Sequence, residues 1–252
     1  WGWSVGSGNF NITNSNFTNN GVTGPNGNQF NGASGGFIYN NRFTNCGSSE
    51  CIAIMTSNSG MNISANTFPA SQSSIGFYAS SSVPNSINIE NNYLGSVAIY
   101  VAQNTNFTSN NFTGQLSISD GNSYPTNLTF TNNNFSSSGI SNTNVTGVKN
   151  MIYSNSFGKI QWLNKTNITI LGSLSIGKSV VIQNNTLGLN DTSVLSNLNT
   201  SAQLTFYGLG YASTPFLLKN GVRCDNNVAL CNISYNSGTG TLLANVSSFS
   251  NY

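Results

Sequence analysis

Groups that can transfer a proton, attack a carbonyl or bind a metal are scarce in this chain. Its carboxylates are Glu50, Glu90, Asp120, Asp191 and Asp225; it has no histidine, and seven lysines and arginines stand singly along 252 residues. Without an imidazole, Ser-His-Asp and Cys-His mechanisms are excluded. Glycoside cleavage needs two carboxyl groups ~5 to 10 Å apart, and no pair can be placed that way. Glu50 lies between Cys46 and Cys51, Glu90 and Asp120 belong to different segments, and Asp191 and Asp225 come late in the chain. We assign no catalytic residue, metal ligand or cofactor, and expect a protein that is not an enzyme.

Two other kinds of chemistry remain. Cys46 and Cys51 enclose four residues, and Cys224 and Cys231 enclose six. Close pairs with no histidine nearby suit local disulfides better than a zinc site. Disulfides imply an oxidising, extracellular compartment. The second kind is modification. Asn-x-Ser/Thr acceptors stand at Asn11, Asn16, Asn62, Asn106, Asn111, Asn127, Asn134, Asn144, Asn164, Asn167, Asn184, Asn190, Asn199, Asn232 and Asn245. In so Asn- and Thr-rich a chain many would arise by chance, so their positions matter more than their number.

Those positions are set by a repeat. An apolar residue, an Asn three places on and a Phe or Leu two places further recur at Ile38/Asn41/Phe43, Ile63/Asn66/Phe68, Ile89/Asn92/Leu94, Phe107/Asn110/Phe112, Phe130/Asn133/Phe135, Ile152/Asn155/Phe157 and Ile182/Asn185/Leu187. Ile12/Ser15/Phe17 is a variant with Ser in the polar slot. The apolar anchors are spaced 26, 25, 26, 18, 23, 22 and 30 residues apart, a solenoid period. Short alternating runs such as Ile52-Ala-Ile54 and Leu116-Ser-Ile118 read as strands, with Gly, Asn and Ser supplying turns. No capped amphipathic helix is evident, and the spaced leucines of a leucine-rich repeat are missing. The reading is an all-β parallel β-helix over residues 1–190. Stacked coils would pile Ile, Phe and Leu into a core and Asn into a column that tolerates left-handed backbone and bonds amide to amide.

In this geometry the residue four after an anchor and the residue just before it face outward. Asn16, Asn111 and Asn134 hold the first slot; Asn11, Asn62 and Asn106 hold the second. Outward columns of acceptors are what N-glycosylation requires.

The Ile/Asn/Phe repeats resemble the right-handed parallel β-helix superfamily, particularly its Asn-rich NosD-like repeat proteins, over about residues 9 to 190. That resemblance implies the fold; the superfamily includes lyases, hydrolases, adhesins and inert scaffolds, so it does not imply an activity. Residues 191–252 read as a small antiparallel β domain capping the solenoid. Lys219-Asn-Gly-Val-Arg-Cys224 and the stretch from Cys231 to Tyr252 resemble the tail domain after β-helix repeats in archaeal cell-surface proteins, which implies a secreted, surface-located product.

Composition narrows the partners. Charged residues are 5% of the chain and the formal net charge is +2, so there is no basic stripe for nucleic acid. No stretch approaches the ~20 apolar residues of a membrane span. The opening Trp-Gly-Trp, in place of Met, suggests a processed or trimmed form. Trp1 and Trp3 would either cap the first coil or form an arm that docks on another subunit. With so few groups to titrate, stability should be nearly flat from about pH 2 to pH 8. The leading expectation is a structural, N-glycosylated subunit of a surface coat or filament, its partner being further copies of itself. The alternative is a glycan-binding adhesin using Tyr39, Tyr78, Tyr93, Tyr100, Tyr124 and Tyr153.

Overall fold

The structure is a computed structural model and describes residues 4–6, 8–18, 28–47, 50–55, 58–78, 82–118, 125–135, 140–142, 148, 150–163, 172–174, 180–189 and 198–252. The chain is all-β, and its repeats wind as a parallel β-solenoid. One face is an eight-stranded sheet: Ser4–Val5, Asn28–Phe30, Ile52–Ile54, Ser73–Phe77, Ser96–Ile99, Leu116–Ile118 and Ile140–Asn142 in parallel, then Gly172–Leu174 antiparallel. A second face begins an eleven-stranded sheet with Asn11–Thr13, Gly36–Tyr39, Met61–Ser64, Asn88–Glu90, Gln103–Thr108, Thr126–Thr131 and Ile152–Asn155 in parallel. A third face is made of short pairs such as Arg42–Phe43 and Tyr93–Leu94.

The repeat letters explain this register. Ile12, Ile38, Ile63, Ile89, Phe107 and Phe130 are consecutive partners in the second face, and all but Ile12 are buried. Where Phe stands five places after the anchor on adjacent coils, the rings stack: Phe17 on Phe43 at 4.8 Å, Phe43 on Phe68 at 4.7 Å, and Phe112 on Phe135 at 4.6 Å. These spacings match the ~4.8 Å between strands, so stacking geometry and hydrogen-bond spacing agree.

Three expectations need correction. The left-handed residue at each corner is not the column Asn but the one before it: Asn14, Asn40, Ala65, Asn91, Ser109 and Asn132 have φ of 51, 54, 55, 55, 54 and 52°. The bend falls there so that the next side chain can project inward. The segment 21–36, whose Gly- and Asn-rich sequence alone suggests a surface excursion, includes the strand Asn28–Phe30, with Phe30 fully buried. The last two repeats are not coils. At Ile152 the register slips by one, Tyr153 facing Phe130 and taking the core slot. Ile182/Asn185/Leu187 instead forms a hairpin, Val180–Gln183 against Thr186–Leu189, with Asn185 at φ 58° in its turn.

From Gly158 onward pairing is antiparallel. Gly158–Trp162, Ala202–Phe206, Thr241–Val246 and Cys231–Asn236 add in that spatial order to the eleven-stranded sheet. Trp162, fully buried, donates Nε1–H to the Leu198 carbonyl at 3.2 Å. Its ring meets Phe249 edge-on. The solenoid core and the C-terminal strands therefore share one apolar cluster. Cys46 is bonded to Cys51 and Cys224 to Cys231. Among the described residues no helix is long and apolar enough to cross a membrane.

Candidate functional site

The inward asparagines are consumed by structure. Asn92 Oδ1 accepts from the Asn66 backbone N–H at 2.8 Å and from Asn66 Nδ2 at 3.0 Å. Its own Nδ2 donates to the Ile63 carbonyl at 2.8 Å, the Glu90 carbonyl at 3.0 Å and Asn110 Oδ1 at 3.0 Å. Asn41, Asn66 and Asn110 repeat this arrangement. The ladder stops at both ends. Ser15 replaces Asn below Asn41 and turns its hydroxyl onto its own Thr13 carbonyl. Above Asn133, Asn155 Oδ1 accepts from the Phe157 and Gly158 N–H groups of its own turn.

The outward columns carry the modification acceptors. One row crosses the whole eleven-stranded sheet: Asn11, Phe37, Asn62, Asn88, Asn106, Thr129, Ile152, Gln161, Gln203, Asn245 and Asn232 are successive partners. None of them is buried. A second column on the third face runs Asn16, Arg42, Thr67, Tyr93, Asn111, Asn134. Asn134 Nδ2 donates to Asn111 Oδ1 at 3.3 Å, which places these two acceptors on adjacent strands. Asn127 occupies an exposed corner ladder, donating to Asn104 at 2.7 Å and accepting from Asn150 at 3.0 Å. Asn184 and Asn199 are exposed. Asn144, Asn164, Asn167 and Asn190, like Trp1 and Trp3, lie outside the described residues. Sequence reading missed the continuation of the row into Asn245 and Asn232. Their alternating strands were legible, but their joining the same sheet was not.

Charged groups are few and dispersed. Glu50 accepts a hydrogen bond from Tyr78, whose hydroxyl is pushed well up from its usual range by burial and then by this carboxylate. Glu90 lies on the second face beside Asn62. Asp225 takes a bidentate contact from Arg223 and accepts from the Leu217 N–H at 3.0 Å. The Arg223 bonds hold its carboxyl below the ordinary range. Asp120 and Asp191 lie outside the described residues, and among those described no three His, Cys, Asp or Glu cluster to hold a metal.

The tyrosines do not form one platform. Tyr39 and Tyr93 are exposed on different faces, and Tyr100 stacks on half-buried Tyr78 beside the eight-stranded face. Tyr153 is in the core, its hydroxyl pushed up to about 12 by burial, and Tyr124 lies outside the described residues. The cavity that stands out is at the other end of the molecule. It is a cleft of about 630 Å³ floored by Phe206, Leu209, Leu242 and Tyr252 and flanked by Tyr211 and Phe216. No protein-family model, no curated protein and no solved structure matches the chain.

Proposed function

We propose that the protein is a structural extracellular glycoprotein, a subunit of a surface coat or filament built from β-solenoid protomers. The observation that supports this best is the outward row in which Asn11, Asn62, Asn106, Asn245 and Asn232 stand on one sheet of a charge-poor, disulfide-closed molecule. In the proposal that face carries N-linked glycans, and the solenoid is a rigid, chemically quiet spacer secreted to the cell exterior. The protomer's partner is itself. Trp1 and Trp3 are the proposed connectors between protomers, since β-solenoid subunits join by covering apolar surface that would otherwise be wet.

Intact mass of the native protein is the direct test. Masses above the 26.6 kDa of the bare chain by whole sugar units, with glycopeptides mapping to the outward row, support the reading. A mass equal to the bare chain overturns its glycoprotein half. Electron microscopy of native material tests the other half: Trp1→Ala with Trp3→Ala should leave monomers where the parent forms filaments or arrays, and no assembly in the parent overturns it.

A further inference from the structure

The cleft on the C-terminal strands differs chemically from the rest of this molecule. In the solenoid the asparagine amides are bonded to one another in ladders. Around the cleft the reverse holds. Asn185, Tyr211, Ser213, Thr214 and Asn251 line it, and their side-chain amides and hydroxyls make no hydrogen bond to the described protein.

Its walls are held open rather than collapsed. Tyr235 fixes the start of the loop by accepting from the Tyr211 N–H at 3.2 Å and donating toward the Leu209 and Tyr211 carbonyls at 2.8 Å. Asp225 and the Cys224–Cys231 disulfide fix its end through Leu217. Between these anchors Phe216 is 60% exposed and Tyr211 47% exposed. Two large rings thus stand in water beside a floor of Phe206, Leu209 and Leu242, which are nearly fully buried.

Among the described residues no charged side chain lines the space. Two described cations close to its rim are already engaged. Arg223 packs over Phe216 at 5.4 Å and pairs with Asp225. Lys219 lies over Tyr252 at 5.9 Å and is bonded to Ser248. The size is that of a small-ligand site, and the lining asks for a neutral ligand. Exposed rings take up C–H-rich flat faces, while free amides and hydroxyls need partners of their own, which a bare alkyl chain would leave unpaired.

We infer that this cleft is a binding site for a neutral saccharide, one pyranose face lying on Tyr211 and Phe216 and its hydroxyls bonding the Asn185 and Asn251 amides. This goes beyond the structural reading and does not depend on it. That reading concerns sugars attached to the chain, whereas this site takes up a sugar from outside.

The test uses the full chain made in a host that adds no N-glycans, so that failure of the glycoprotein reading leaves it intact. Neutral methyl hexopyranosides and a short neutral oligosaccharide are titrated by saturation-transfer NMR and calorimetry. Decanoate and a peptide of residues 1–8 are run as separate arms. Saturable binding of a neutral sugar, weakened about tenfold or more in Phe216→Ala and in Asn251→Ala, supports the site. Both side chains face solvent at least in part, and an unchanged melting temperature shows that each variant still folds. Sugar binding indifferent to both substitutions, binding only of decanoate or the peptide, or no binding in any arm overturns it.

Discussion

An asparagine side chain brings one acceptor and two donors, and this protein uses it in two ways. Inside, the Asn92 side chain makes five bonds, four of them to adjacent coils, and every partner is also buried or half-buried. Its replacement by Ala leaves the Asn66 backbone N–H without its acceptor and takes a donor from the Ile63 carbonyl in a dry interior, each costing about 1 to 3 kcal/mol. We expect Asn92→Ala to lower unfolding free energy by roughly 3 kcal/mol or more in denaturant titration. Asn127→Ala, which breaks the same kind of ladder in water, should cost only about 1 kcal/mol, mostly from placing Ala at a left-handed φ of 54°, because solvent replaces the lost bonds. The column was legible because the spacing between anchor and Asn held over five coils. The left-handed corner was not, because Ala65 and Ser109 share that position with Asn and carry no local turn preference.

At the level of elements, the same letters can encode two shapes. A coil corner and a hairpin turn both want an Asn beside an apolar residue, so Ile182/Asn185/Leu187 reads like another coil until its partner strand is known. Long-range pairing decides, and one sequence does not display it. Packing between coils leaves little freedom at Gly95, where a Cβ would sit 2.3 Å from both the Gln72 and Pro69 carbonyl oxygens. Gly95→Ala must push backbone apart and should lower stability by about 1 to 3 kcal/mol, read as a fall in melting temperature. The disulfides close short loops, so their effect is modest. Reduction of Cys224–Cys231 or its replacement by serines should cost about 2 kcal/mol by loop-closure entropy. It should also loosen the Leu217–Cys224 contact that supports the cleft.

For the whole molecule, the dominant electrostatic fact is how little there is to titrate. Asp225 has a lowered folded pKa, so its contribution is present above the unfolded carboxylate range and fades as pH falls through the folded value. It is an exposed-side pair with Arg223 and contributes little. At the alkaline end the sign reverses. Tyr153 and Tyr252 are pushed up to about 12 by burial, so their contribution is full below the ordinary tyrosine value of ~10 and is lost as pH rises through the folded value. We expect a melting temperature that is nearly level from about pH 2 to pH 8 and drops above about pH 10. A steep acid transition in a scanning calorimeter would contradict this. All-β class, stacked coils and local cysteine pairs were readable from composition and spacing; the cleft was not, because its lining comes from a hairpin, a loop and the chain's last residues, far apart in sequence.

The two ends of the inner amide column carry one more implication. A hydroxyl folded onto its own strand at Ser15 and an amide oxygen folded into its own turn at Asn155 close the inner column at a fixed height. A second copy stacked on either end would find no side-chain amide of that column left to continue it.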